Sequence, residues 1–404
     1  MTLDPDALAR DAAALVQVPS VTGAERPALE RLAEIAGALG FESELHVHVH
    51  DLDALRALPG YPGEETQRSE LLGLTVSLPG PEGAPRLALD GHVDVVAPGT
   101  EHWHHGPWSG AIDGGSLHGR GSVDMKGAVV ATLHAMAAAG DAPTCEVVLH
   151  AVSSEEDGGL GSFAALERDD RFDACLIPEP TGFDVVCAQA GALTFSGEVR
   201  GRGAHAAMRL EGESAIDAYL GVHEALSAHE REVNADVEHP LMRPLELPYP
   251  LSVGRLEAGH WPSSVPDRLT FEGRLGVRVG ETLDEAEAAL RAALEGLPVT
   301  LAFEGARFAP GETSDSHPFT TLVQQAFTET TGHRARAVGV PYGADMRLFT
   351  ERGIPCVMAG TPGIERAHAA NESVELDHLT NLARAVQRVL ETLGTEDWGL
   401  GTKS

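Results

Sequence analysis

Three short apolar runs in this chain each end in a cluster of histidine or acidic residues. Residues 87–89 lead into His92 and Asp94. Residues 146–152 lead into Ser153-Ser154-Glu155-Glu156-Asp157-Gly158, and residues 174–177 into Pro178-Glu179-Pro180. Strand-like runs alternating with stretches of helical period predict an α/β fold whose sheet is largely parallel. Ligands of such sheets gather beyond the carboxyl ends of the strands. All three clusters fall there, and the shared placement says more than any one of them. A further stretch, Gly119-Arg120-Gly121-Ser122-Val123-Asp124-Met125-Lys126-Gly127, places Asp124 just before a small-residue helix predicted over 127–138.

At 404 residues the chain exceeds one typical domain, and its pattern changes twice. Two helical stripes over 5–40 come first. From 188 apolar and polar residues alternate, and Gly201-Arg202-Gly203-Ala204-His205-Ala206 forms a glycine-rich turn holding a histidine. A helix, two strands, a second helix and a short strand follow. This β-α-β-β-α-β order predicts helices on an antiparallel sheet, the ferredoxin-like arrangement. From 318 the first pattern resumes, closing with a helix over 376–393 and a loose tail over 394–404. The expected architecture is a catalytic domain formed by 1–186 and 308–404, with a mixed, mostly parallel sheet flanked by helices. An α+β domain over 187–307 is inserted in it.

Charge and patterning narrow the function classes. A net charge of −32 without a basic stripe argues against a nucleic-acid partner. No long apolar run occurs, so no membrane span is expected. The start is not basic-then-apolar, so no secretory leader is expected either. Cys145, Cys175, Cys187 and Cys356 stand singly, as expected of buried reduced thiols in a cytoplasmic protein. His46, His48 and His50 alternate along 41–50 and share one strand face. With no carboxylate interleaved they read as a solvated face rather than a metal site.

Five potential metal ligands remain: His92, Asp124, Glu156, Glu179 and His368. One metal takes three or four protein ligands. Five, with one carboxylate able to bridge, suit two metals about 3.5–4 Å apart. Imidazole and carboxylate together suit Zn²⁺, Co²⁺ or Mn²⁺. Asp94 suits a supporting role, orienting His92 through its other ring nitrogen. Glu155 suits a general base that takes a proton from the attacking water. Each residue alone has a plainer reading. Asp124 and Glu155 could cap the segments that follow them, and a lone loop histidine is commonly solvated.

Taken in order, several stretches resemble the di-zinc aminoacylase family over nearly the whole chain. They are Gly91-His92-Val93-Asp94-Val95-Val96, the 119–127 run, Ser154-Glu155-Glu156-Asp157-Gly158-Gly159, Pro178-Glu179-Pro180-Thr181, Gly203-Ala204-His205-Ala206 and Ala367-His368-Ala369-Ala370-Asn371-Glu372. The family includes acetylornithine deacetylases, succinyl-diaminopimelate desuccinylases, aminoacylases and carboxypeptidase G-type enzymes. The resemblance implies two divalent metal ions, zinc first, with cobalt or manganese as alternatives. It implies that His92 and Glu179 complete one site, that Glu156 and His368 complete the other, and that Asp124 bridges them. It also implies a cis Asp124–Met125 peptide, Glu155 as the base and Asp94 as the support of His92. His205, carried by a lid domain, would stabilise the tetrahedral oxyanion. In many relatives that histidine comes from the other subunit, and a homodimer through the inserted domain is expected. Arg274 and Arg347 fall where relatives hold the substrate carboxylate, a task suited to a planar fork. Ser263 and Ser264 stand where relatives often carry an asparagine.

The Tyr342-Gly343-Ala344-Asp345-Met346-Arg347 run, the Gly360-Thr361-Pro362-Gly363 loop and the loop holding Trp103 and Trp108 are most similar to acetylornithine deacetylase-like members. The expected function is therefore removal of an N-acyl group, first of all N-acetyl, from an amino acid or similar small amine. A dipeptidase or carboxypeptidase with the same metal chemistry is the alternative. A metal-binding protein without hydrolytic activity is a third reading. Glu155 speaks against it, because a non-enzyme has no use for a base beside its ligands.

Overall fold

The computed structural model describes residues 2–41, 45–140 and 143–395. From 396 on, the expected tail lies outside the described residues. The chain forms two compact units. One comprises Met1–Cys187, Glu312–Val338 and Leu348–Ser404, the other Ala188–Gly311 and Gly339–Arg347. The segments 308–311 and Gly339–Arg347 therefore cluster with the second unit, whereas the sequence pattern counts both with the first.

The sheet of the first unit runs Leu45–His50, Leu71–Leu78, Glu146–Val152, Arg86–His92, Ala174–Ile177, Cys356–Met358 and then Val185–Gln189. Its central junctions are parallel, and the outer ones are antiparallel. Parallel neighbours need a crossover. Helix Lys126–Ala139 supplies one and helix Leu160–Arg168 the next. Strands covered on both faces read as continuous apolar runs, which is why Glu146–Val152 is buried after its first residue.

Helix Lys126–Ala139 is buried from Lys126 to Ala137. A helix that is apolar all round must be covered all round. Here it packs against Pro5–Val16 and Leu376–Thr392. The latter turns one stripe inward, with Leu379, Leu382, Ala383, Val386, Val389 and Leu390 buried at helical spacing. This packing holds the start of the central helix, and Asp124 just before it, against a rigid core.

The second unit has an antiparallel sheet in the order Leu251–Ala258, Arg268–Val277, Gly191–Arg200 and Val299–Ala302. Helices Ala215–Val233 and Leu283–Ala293 share a core with it, built around Phe195, Leu193, Tyr219, Leu226, Phe271 and Leu290. Phe271 is the cross-strand partner of Gly197, and Phe195 of Gly273. A Cβ on Gly197 would stand 2.2 Å from the Phe271 ring, and one on Gly273 2.5 Å from the Phe195 ring. The glycines are therefore required by the rings that lie over them. Thr282 and Glu285 form a capping box at the start of the second helix. Among the described residues, no helix of either unit is long and apolar enough to cross a membrane. All four cysteines are buried free thiols.

Candidate metal centre

His92 is the last residue of its strand and is buried. Its Nδ1–H donates to the main-chain carbonyl of Asp94 at 2.9 Å. A carbonyl has no proton to give, so Nδ1 carries a hydrogen and Nε2 is the nitrogen that faces the acids. That Nε2 lies 3.1 Å from Asp124 Oδ1 and 3.7 Å from Glu179 Oε1. On the other side, His368 Nε2 lies 3.3 Å from Asp124 Oδ2 and 3.1 Å from Glu156 Oε2. The two oxygens of one carboxylate are thus divided between two imidazoles. The structure brings together two groups able to hold a cation, His92–Asp124–Glu179 and Asp124–Glu156–His368. All ligand atoms within each group lie within 4.8 Å of one another. The Asp124–Met125 peptide is cis.

The electrostatics fit a cation at each group. Burial alone pulls His92 down, but Asp124, Asp94 and Glu179 outweigh it and hold the ring well above the usual histidine range. Hydrogen bonds that His368 donates to the Asp124 and Glu156 carboxylates hold its ring at about 10. Burial pushes the Asp124 carboxyl up, and the two histidines more than reverse this, leaving it well below the usual carboxylate range. Two nitrogens and the carboxylates around Asp124 therefore form a focus of negative charge with the N/O donor set of borderline divalent metals.

The loops that carry these groups are tied by buried polar contacts that the sequence reading did not single out. The Asp94 carboxylate lies 3.6 Å from His92 Nδ1, beyond a hydrogen bond. It accepts instead from the main-chain N–H of Glu155 and of Glu156, both at 3.2 Å, and from the Thr22 hydroxyl at 3.1 Å. The expected support of His92 thus comes from the Asp94 main chain, while its side chain holds the Glu155 loop. Burial raises that carboxyl to about 7, against the pull of His92. The same loop is gripped by Arg68, whose Nη2 donates to both carboxylate oxygens of Asp157 at 2.8 Å. Ser154 and His368 adopt φ of +70° and +61°. Left-handed backbone at non-glycine residues is uncommon and persists where surroundings over-determine it. Glu155 itself is half-buried at the exit of its strand.

The remaining candidates lie in the second unit. His205 is exposed, and its Nδ1 accepts from Ala207 N–H at 3.1 Å, which leaves Nε2 as a donor. Its strand partner is Ser264. Arg274 is half-buried on Arg268–Val277, and burial lowers its pKa. Arg347 departs from expectation. It is 1% exposed, donates to Ala344 O at 2.8 Å, sits 3.5 Å from Asp345 Oδ1 and lies 4.1 Å over the Phe308 ring. Its guanidinium is committed inside the second unit rather than open to a substrate carboxylate.

The model of the peptidase family M20/M25/M40 matches residues 88–392, well over half of the chain. The chain belongs to this family. M20 members are hydrolases, and this one is accordingly an enzyme that acts on amide bonds. The succinyl-diaminopimelate desuccinylase of Methylobacterium radiotolerans is 30% identical, over 96% of this chain and 97% of its own length. That of Methylorubrum extorquens is also 30% identical, over 94% and 97%. Among solved structures, an M20 family metallo-carboxypeptidase from Sulfolobus solfataricus superposes with a TM-score of 0.76 at 16% identity, covering 95% of this chain and 98% of that one. A dinuclear metal-binding M20 peptidase from Bacillus subtilis gives a TM-score of 0.61 at 16% identity, over 96% and 99%. These two share the M20 fold.

Proposed function

We propose that this M20 enzyme is a two-metal deacylase that removes the acyl group from an N-acyl amino acid. The observation that carries the reading is the Asp124 carboxylate, divided between His92 and His368 at the meeting point of two cation groups. The full-length relatives named as desuccinylases support an acyl-transferring amide hydrolysis. They turn the choice of acyl group from acetyl, which the sequence resemblance favours, toward a dicarboxylic acyl group such as succinyl.

His92, Asp124 and Glu179 would hold one cation, and Asp124, Glu156 and His368 the other, with zinc the first candidate. When bound, the pair supplies Lewis acidity that polarises the amide carbonyl and acidifies water. Glu155 takes the proton of the attacking water and passes it to the departing amine. Asp94 keeps Glu155 in place through the loop N–H groups. The Nε2–H of His205 serves the developing oxyanion. Arg274 takes the substrate carboxylate, supported by its having no ion pair of its own among the described residues. Arg347 is left out of this role because its fork is occupied. The second unit forms a homodimer contact along strand Leu251–Ala258. Support comes from the exposed Leu256 on that strand and the exposed Ile216 and Leu220 on the neighbouring helix. The four buried thiols favour a reducing compartment, the cytoplasm.

The test is hydrolysis by the zinc-loaded protein of N-succinyl, N-acetyl and N-formyl amino acids and of several dipeptides, each with and without a chelator. Chelator-sensitive release of succinate or acetate, with dipeptides untouched, is the expected result. Cleavage of dipeptides alone moves the function to a peptidase with the same metal ligands.

A further inference from the structure

We propose that Glu372 is a positioning residue for the shared carboxylate of Asp124, acting through a buried ion pair with Arg120. The inference rests on the two-cation reading above. Glu372 follows His368 by four residues, and its side chain is fully buried. Oε2 accepts from Arg120 Nη1 at 2.8 Å. Oε1 accepts from the main-chain N–H groups of Val123 at 2.9 Å and Asp124 at 3.2 Å. The Glu372 carbonyl accepts from Gly119 N–H at 3.0 Å. One residue thus holds the 119–124 loop at both ends. Both carboxylate oxygens are already engaged, so Glu372 is a support and not a ligand.

The other half of the pair is equally committed. Arg120 is 1% exposed, its Nε has no hydrogen-bond partner among the described residues, and the Trp103 ring lies 5.3 Å from its guanidinium carbon. Beside it, Asn371 Oδ1 accepts from His104 N–H at 2.7 Å, and Nδ2 donates to His102 O at 3.2 Å. The segment that carries His368 is thus tied to the loop that carries Asp124 through Glu372, and to residues 102–104 through Asn371. Two ligands from distant parts of the chain are set against each other by one carboxylate. Supporting partners of metal ligands typically govern affinity through orientation.

The test titrates full-length metal-free protein with Co²⁺, reading affinity, stoichiometry and the visible absorption bands. Glu372→Gln keeps an acceptor for the loop N–H groups but removes the charge facing Arg120. The expected result is Co²⁺ binding weakened about 10–100-fold, with altered bands and an unchanged circular dichroism spectrum. A purely structural role would instead lower the melting temperature and leave affinity and bands as in the wild type, which overturns the proposal. Asp124→Ala is the control. If it too binds two Co²⁺ normally, the two-cation reading itself fails. If it loses them while Glu372→Gln does not, only the role of Glu372 fails. Should Glu372→Gln not fold, the double variant R120M/E372Q carries the test, because replacing both partners of a buried pair is commonly tolerated. Weakened Co²⁺ binding by the double variant supports the proposal, and wild-type binding overturns it.

Discussion

The Asp94 carboxylate accepts the main-chain N–H of Glu155 at 3.2 Å, while the Asp94 carbonyl, not its side chain, accepts from His92. The two jobs are therefore separable by mutation. Asp94→Ala keeps the carbonyl that orients His92 and removes the acceptor that holds the Glu155 loop. Metal content near the wild-type value and a kcat lowered about 10–100-fold are expected. Metal analysis beside steady-state kinetics checks this, and loss of metal would show that the side chain supports His92 after all.

Asp124 belongs to both cation groups, whereas Glu179 belongs to one. Asp124→Ala is expected to abolish stoichiometric binding of both metals. Glu179→Ala should leave one tightly held metal per chain. Atomic emission after dialysis distinguishes the two. Equal losses would argue against a shared carboxylate.

Glu155 is in neither cation group. Glu155→Gln should retain two metals and lower kcat about 10²–10⁴-fold, the usual contribution of a general base. Near-normal turnover would remove Glu155 from the mechanism.

His205 lies in the second unit, with Nε2 left as a donor. His205→Ala is expected to lower kcat about 10²–10³-fold, as loss of one oxyanion donor does. Metal content should not change. A variant that loses metal would make His205 a ligand.

The histidine face of the first strand is not fully solvated as expected: His48 and His50 are half-buried, and burial, Arg168 and neighbouring histidines hold them down at about 4. Their usual value is near 6.5, so between 6.5 and 4 the unfolded chain binds protons that the native one refuses. The stability they allow is present above 6.5 and is lost as pH falls toward 4. His50→Gln should therefore show a smaller drop in urea midpoint between pH 7 and pH 5 than the wild type. An unchanged drop would mean that His50 titrates normally.

Much of the first unit could be read from the chain alone. Apolar runs such as 146–152 and 174–177 match the observed strands because a strand covered on both faces must be apolar throughout, and that requirement is local. The central helix was equally legible, extending only slightly beyond 127–138 to Lys126–Ala139. The candidate ligands stood out because histidine and carboxylates at successive strand ends follow from topology. The segment Gly339–Arg347 did not stand out as part of the second unit, because its affiliation depends on what it packs against.

The order of elements and the residue types that stand where strands end are local properties, since both depend on period and spacing along the chain. What those residues touch depends on how the chain closes. Arg274 and Arg347 read alike as arginines, but only the fold leaves one half-buried with no ion pair among the described residues and sets the other over the Phe308 ring against the Ala344 carbonyl. Arg68 meets Asp157 across 89 positions, and Glu372 meets the Asp124 amide across 248. Depth from solvent and contacts between distant segments arise when the chain closes on itself, so no local pattern encodes them.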